Sequence, residues 1–101
     1  MNKDLTVKVL SINEGITEFN NVKFIRILSE KYNLLIMRDY VPVIGEVDGD
    51  IEIQGDIIKK YSNIKGYYIN RNNEFSLIIK EELWVRLFII FWTYLNLQRL
   101  Y

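Results

Sequence analysis

The stretch that most constrains this chain is residues 34–53, where two apolar runs flank a short polar corner holding the only proline, Pro42. A Val-Asp-Gly-Asp sequence follows, and residues 50–54 then alternate polar and apolar side chains. Alternation of this kind between turn signals is typical of half-buried strands. We therefore predict three short strands with two tight connections here, and the rest of the chain must supply their sheet partners.

Similar segments recur on both sides of this stretch. Strands are predicted at residues 5–10, 16–19, 22–28, 67–69 and 75–80, with turns at 13–15, 20–21 and 70–73. Residues 57–65 combine helical spacing with strand-like length, and we assign them to a strand. About eight to ten short strands at this spacing predict an antiparallel β-sandwich over residues 1–80. Its predicted core is Val7, Val9, Ile25, Ile27, Ile36, Val47, Ile51, Ile53, Leu77 and Ile79.

The composition limits which partners, metal sites and catalytic groups the chain can have. The 101 residues allow one domain, and the 13 basic and 13 acidic residues cancel, so no basic stripe predicts a nucleic-acid partner or an anionic membrane surface. Histidine and cysteine are absent, which excludes disulfides, thiol chemistry, most zinc sites and histidine-based catalysis. Because no secretory signal is visible, we expect a cytoplasmic protein. Because the chain lacks these reactive residues, we also expect no cofactor and no enzymatic activity.

An acidic run, formed by Asp48, Asp50, Glu52 and Asp56, is the strongest hint of a metal site. Alternation sends the first three carboxylates to one solvent-facing side of a strand, whereas a Ca²⁺ or Mg²⁺ site needs oxygens that converge on one point. A solvated strand face is the favoured interpretation. The glycines do not form a phosphate-binding loop, because none lies between a strand and a helix at the required spacing.

Phe24 and Arg26 share a strand face. A face that contacted only solvent would be expected to carry polar side chains throughout. Aromatic and Arg side chains dominate the energetics of protein interfaces, so this pair is a candidate binding site for a partner. The alternative is that another part of the chain, such as the C-terminal tail, covers this face.

The tail, residues 81–101, changes to a helical pattern that is apolar nearly all round. We predict one helix from Glu82 to about residue 97, packed in protein. Its apolar length is below the ~20 residues that a membrane span needs, and Arg86 near its centre would add ~2.5–3.5 kcal/mol to insertion. We expect one face, with Leu87, Ile90, Tyr94 and Leu97, to rest on the sandwich. The opposite face, with Trp84, Phe88 and Trp92, would then contact a partner.

Several segments also form a recognisable order of motifs: residues 6–10 (Thr-Val-Lys-Val-Leu), Glu14-Gly15 with Phe19, Val22 with Ile25 and Ile27, residues 35–44 (Leu-Ile-Met-Arg-Asp-Tyr-Val-Pro-Val-Ile) with Val47 and Gly49, and Gly66-Tyr67-Tyr68 with residues 73–78. In this order they resemble the N-terminal β-sandwich domain of the epsilon subunit of F-type ATP synthases. The corner of that family reads gly-ile-leu-pro-asn-his-ala-pro-leu-leu. This chain keeps its second proline as Pro42 and has Leu35, Arg38 and Tyr40 in place of its glycine, first proline and histidine.

The resemblance implies a non-catalytic accessory subunit of a rotary F-type or F-type-derived ATPase, peripheral on the cytoplasmic side of the membrane. It would bind the gamma-type shaft subunit and couple it to a rotor ring, or to a replacement of the ring, at the foot of the shaft. Two ring-facing segments are implied as docking sites: the corner with Arg38, Asp39, Tyr40 and Pro42, and the loop with Glu30, Lys31 and Tyr32. Their alternative role is as ordinary turns. For the whole chain, the alternative function is a stand-alone protein-interaction module, and a small enzyme is a distant third.

Overall fold

The structure is a computed structural model that describes residues 4–80 and 90–96. Alternating side chains and turn residues give six strands in the first of these ranges. They are β1 (Leu5–Ser11), β2 (Gly15–Ser29), β3 (Asn33–Met37), β4 (Val43–Gly55), β5 (Ile58–Arg71) and β6 (Glu74–Lys80).

Five of these strands close into a barrel. The order around it is β1-β6-β5-β4-β2, and β2 pairs with β1 to complete the ring. All neighbours are antiparallel except β1 and β6, which run parallel with Val7 opposite Phe75 and Val9 opposite Leu77. The barrel is therefore mixed, and β3 is an extra strand that pairs with β2 outside the ring.

The predicted β-sandwich is wrong, because the chain forms a few long, bent strands where many short ones were expected. Asn21, predicted to lie in a turn, has a positive φ of 57° inside β2, and the β2–β4 register shifts between Val22 and Phe24. Gly49, predicted to end a strand, lies at a register shift inside β4. Such irregularities bend and twist a strand without reversing it, and strongly bent strands wrap into a barrel.

The interior of the barrel confirms the sequence-derived core. All ten predicted core residues are buried, and the alternation that predicted them is visible in every strand. The structure adds Leu5, Val22, Tyr61, Tyr68 and Phe75. The rings of Tyr68 and Phe75 stack with centroids 5.4 Å apart on the neighbouring strands β5 and β6. The assignment of residues 57–65 to a strand is also confirmed, since most of them belong to β5.

The predicted C-terminal helix is confirmed over residues 90–96, the part of the tail that the structure describes. Its apolar side chains do not rest on the strands as expected. Ile90 is 64% exposed and Tyr94 is 56% exposed, so the predicted packing face is wrong at both positions. Leu87 and Leu97, the other two members of that face, lie outside the described residues.

Gly49 offers a test of the bend in β4. A Cβ at this position would overlap the backbone carbonyl oxygen of Leu28, which the pairing with β2 holds in place. We expect Gly49→Ala to destabilise the barrel by about 2–3 kcal/mol, since overpacking a fixed backbone typically costs ~1–3 kcal/mol. Urea denaturation followed by circular dichroism measures the loss.

Gly15 supplies the matched control. A Cβ there meets open space, and only its φ of +70° is unfavourable, so Gly15→Ala should cost about 1 kcal/mol. Equal losses for the two variants would contradict the assignment of Gly49 to a tight backbone approach.

Candidate interaction surface

The outer face of the barrel carries a continuous row of apolar side chains. Leu10 on β1 lies opposite Ile16 on β2 and Ile78 on β6, and Ile78 lies opposite Tyr67 on β5. Two positions further along β5, Ile69 lies opposite Ile44 on β4. Cross-strand neighbours of this kind are about 4.5–5.5 Å apart at their Cβ atoms. We call this set the apolar row: Ile16, Leu10, Ile78, Tyr67, Ile69 and Ile44.

Every member of the apolar row is exposed. The exposed fractions range from 39% for Ile69 to 77% for Ile44. Single exposed apolar residues are normal on a protein surface, but a contiguous patch crossing five strands is characteristic of an interaction site. The row lies on a rigid sheet, so a partner would bind it with little loss of backbone entropy.

An apolar groove deepens one end of the apolar row. It encloses about 360 Å³ and is lined by Pro42, Val43, Ile44, Ile69, Asn70 and Arg71. Pro42, one of the sequence-predicted candidates, is among the residues that line this groove. Near the middle of the row, the Lys80 ammonium donates a hydrogen bond of 2.7 Å to the Tyr67 hydroxyl and lies 4.4 Å from the ring centroid. This hydrogen bond raises the pKa of Lys80, so the row carries a fixed positive charge.

Phe24 and Arg26 lie elsewhere, on the outer face of β2 between β3 and β4. The Arg26 guanidinium lies 5.6 Å from the centroid of the Phe24 ring and 3.9 Å from the Glu52 carboxylate. Phe24 is half-buried and Arg26 is exposed. Arg26 is therefore accessible to a partner, and neither residue belongs to the apolar row.

The loop before β3 forms an open cleft of about 400 Å³ lined by Ser29, Glu30, Lys31, Tyr32, Glu46 and Asp48. Glu30 and Lys31 are exposed at its rim. Tyr32 is structural: its hydroxyl donates to the Glu46 carbonyl at 2.6 Å and lies 2.8 Å from the Tyr68 hydroxyl. The loop is therefore fastened to β4 and β5 by its aromatic residue.

The corner after β3 is held by side chains. The Asn73 amide accepts a hydrogen bond from the Asp39 backbone N–H at 2.7 Å and donates one to the Asp39 carboxylate at 3.1 Å. Asp39 itself has a positive φ of 62°, and Tyr40 packs against the core. Arg38 remains exposed beside Asp39, at 3.7 Å. The geometry favours the structural interpretation of Asp39 and Tyr40, and it leaves Arg38 and Pro42 on the surface.

The structure does not bring the two predicted docking segments together. The loop at Glu30–Tyr32 precedes β3 and the corner at Arg38–Pro42 follows it, so they lie at opposite ends of that strand. Trp92 is 61% exposed on the C-terminal helix, while Trp84 and Phe88 lie outside the described residues. The candidates within residues 4–80 therefore do not form a single surface.

Sequence reasoning missed the apolar row for a specific reason. The members occupy positions where alternation calls for polar side chains, such as Ile78 between the buried residues Leu77 and Ile79. This signal was present in the sequence. The register between strands that are distant in the chain could not be read from the sequence. Only that register shows that the exposed apolar residues are neighbours.

Asp50, a member of the acidic run, forms polar contacts with the neighbouring strand β5. Asp50 accepts a hydrogen bond from the Asn63 N–H at 3.0 Å and lies 3.8 Å from the Lys60 ammonium. Within residues 4–80 and 90–96, no group of three or more carboxylates could hold a metal ion. In the same ranges, no helix has the length and apolar content that a membrane crossing requires.

Comparison with known proteins assigns no role to these surfaces. No protein-family model matches the chain. No curated protein matches it either. The function must therefore be inferred from the geometry above and from the sequence motifs.

The tyrosine pair behind the loop predicts a specific alkaline behaviour. Burial, followed by the hydrogen bond with Tyr32, raises the pKa of Tyr68 well above its usual value of 10.0. Because the folded chain resists ionisation that the unfolded chain undergoes near pH 10, the stabilisation is complete below pH 10 and is lost as the pH rises above it. We expect the free energy of unfolding, measured in urea from pH 9 to pH 11, to fall less steeply for Tyr68→Phe than for the wild type.

Tyr94→Phe is the matched control, since it removes an exposed phenol of the C-terminal helix. It should reproduce the slope of the wild type. If Tyr68→Phe also does so, burial of the Tyr68 phenol is not what couples stability to pH.

Proposed function

We propose that this chain is a non-catalytic subunit that binds a partner protein through the apolar row. The observation that carries the proposal is the register itself, which joins six exposed apolar side chains across five neighbouring strands. Covering such a row removes apolar surface from water and stabilises an association by roughly 25 cal/mol per Å² buried, before the costs of ordering are subtracted.

The composition of the row fits a protein partner. Tyr67 is amphipathic and its hydroxyl accepts a hydrogen bond from Lys80, so a partner that covers the ring must leave the Lys80 ammonium in water or supply an acidic group for it. The groove beside Pro42 gives the row a recess at one end, where a partner side chain could anchor. Interfaces concentrate their binding energy in recesses of this kind, surrounded by a polar rim.

The finer form of the proposal names the partner as the gamma-type shaft subunit of a rotary ATPase. It rests on the motif order that resembles the epsilon subunit, and the barrel lacks the sandwich which that resemblance implied. Pro42, the proline that the chain shares with the family corner, lies at the groove of the apolar row, and the resemblance assigns that corner to the ring at the foot of the shaft. The alternative, a stand-alone interaction module, uses the same surface with an unrelated partner.

Ile78→Lys tests the proposal. Ile78 lies at the centre of the apolar row and is 52% exposed, so a lysine can be accommodated in the monomer but would place a charge in a desolvated interface. The tagged chain of residues 1–101 would be returned to its native cells, and partners that co-purify would be quantified by mass spectrometry. We expect Ile78→Lys to lower recovery of the specific partner at least tenfold, and the finer proposal requires that partner to be the shaft subunit with its ATPase.

Ile58→Lys is the matched control, because Ile58 is 69% exposed and lies on the outer face beside Gln54, away from the apolar row. It should retain the partner. Equal loss in both variants, or full retention in Ile78→Lys, overturns the apolar row as the binding surface. Retention of a partner unrelated to any ATPase overturns the shaft-binding form and supports the stand-alone module.

A further inference from the structure

The Lys80 ammonium lies over a member of the apolar row. It is 4.4 Å from the centroid of the Tyr67 ring and donates a hydrogen bond of 2.7 Å to the Tyr67 hydroxyl. This hydrogen bond uses one of the three N–H donors of the ammonium, and the others are hydrated in the free chain because Lys80 is exposed. A surface that covers the Tyr67 ring must therefore also cover this charge.

Lys80 differs from other charges beside the apolar row in its cross-strand neighbour. Two other pairs on this outer face join opposite charges, Lys8 with Glu18 and Arg71 with Glu74. Lys80 instead lies opposite a second lysine, Lys65 on β5. Like charges directly opposite each other destabilise a strand pair. The sheet therefore places an excess of positive charge at this one point of the row.

Two acidic residues of β4 lie near the lysine pair without neutralising it by direct contact. Asp48 lies opposite Lys65, and Glu46 lies opposite Tyr67. The charge of Glu46 contributes to the raised pKa of Lys80, after the hydrogen bond with Tyr67. Within residues 4–80 and 90–96, however, neither Lys80 nor Lys65 forms an ion pair with a carboxylate. Both ammonium groups are thus free to accept an ionic partner from outside the chain.

We propose that the partner segment covering the apolar row carries an aspartate or glutamate side chain that forms an ion pair with Lys80 over the Tyr67 ring. Apolar side chains beside that carboxylate would cover Ile78 and Leu10. A wholly apolar partner would remove water from the ammonium and put nothing in its place, which is costly, whereas a carboxylate replaces the lost hydration. The inference rests on the proposed function and names the chemistry of the partner.

An anionic membrane is the competing occupant, and the charges around the row disfavour it. Faces that bind such membranes surround their apolar side chains with basic residues. Here the other basic residues of the rim each lie opposite an acid, as Lys65 does with Asp48. A flat anionic surface would meet those acids as well, whereas a single carboxylate can contact Lys80 alone.

Lys80→Glu is the first test, in the same capture experiment as Ile78→Lys. It would place one carboxylate against another, so recovery of the partner should fall about tenfold or more. Lys80→Arg keeps the charge and should stay within about threefold of the wild type. Lys31→Glu is the matched control, because it makes the same change of net charge at an exposed position outside the row, and it should retain the partner.

Lys80→Met keeps the test decisive if circular dichroism shows that Lys80→Glu does not fold. Its apolar side chain is of similar length but lacks the charge, so it would leave the carboxylate of the partner without a counter-charge. We expect recovery of the partner to fall about fivefold, since a charge buried without its partner is strongly unfavourable.

Carbodiimide cross-linking of the captured complex tests the contact itself. The reagent activates a carboxylate, and the amine of a lysine in contact with it then forms an amide bond. Mass spectrometry of the digested product should show Lys80 joined to an aspartate or glutamate of the partner. Exchanging the two charges, by Lys80→Glu together with lysine in place of the identified acid, should restore recovery, because it rebuilds the ion pair in the opposite direction.

The outcomes separate this inference from the proposed function. If Ile78→Lys loses the partner and Lys80→Glu retains it, the apolar row binds the partner and the ion pair is wrong. Equal loss in Lys80→Glu and Lys31→Glu, or a partner that cross-links only to other lysines, also overturns the ion pair. If Ile78→Lys retains the partner, or the wild type recovers none, the proposed function fails and this inference fails with it.

Vesicles of equal parts phosphatidylcholine and phosphatidylglycerol test the competing occupant. We expect the chain of residues 1–101 not to co-sediment with them. Co-sedimentation of the wild type that Lys80→Glu abolishes would identify an anionic lipid surface as the occupant of the row and overturn the proposal.

Discussion

The barrel depends on one bend in β2. Up to Val22 this strand pairs with β1, and beyond Val22 it pairs with β4 on one side and β3 on the other. The change of partner is possible because Asn21 adopts a positive φ and the register shifts beside it, on both the β1 and the β4 side. A straight β2 would hold β1 and β4 along its whole length as a flat sheet. The bend turns that sheet back on itself so that β1 can meet β6 and the ring can close.

The core was predictable because burial follows a local rule. Side chains of a strand alternate between its two faces, so Val7, Val9, Ile51 and Ile53 could be assigned to the interior without knowing which strands would pair. The architecture was not predictable in the same way. Asn and Gly tolerate positive φ in a turn and in a bulge alike, so Asn21 and Gly49 indicated an irregularity without indicating whether the chain reverses there. Taking both as strand ends produced too many strands and, from them, two sheets.

The candidate surfaces divide along a similar line. The sequence predicted Asp39 and Tyr32 as candidate binding residues. In the structure Asp39 forms hydrogen bonds with Asn73, and the Tyr32 hydroxyl forms one with the Tyr68 hydroxyl. The apolar row required information that a single sequence does not contain, since it joins residues as distant in the chain as Leu10 and Ile78. Local patterns identify side chains with unusual surroundings, but a surface assembled from several strands emerges only when the strands are placed side by side.

The parallel pairing of β1 with β6 sets the order in which the chain can fold. β1 can pair with β6 only late in synthesis, because Leu77, the neighbour of Val9, is added after almost all of the described barrel sequence. Contacts so distant in the chain are slow to form, since the entropy of closing the loop is lost before the contact stabilises anything. During synthesis, the β1–β2 hairpin would therefore exist with one side of β1 unpaired and Val7 and Val9 open to other chains. A cell that makes this protein must keep that early hairpin apart from its copies until β6 arrives.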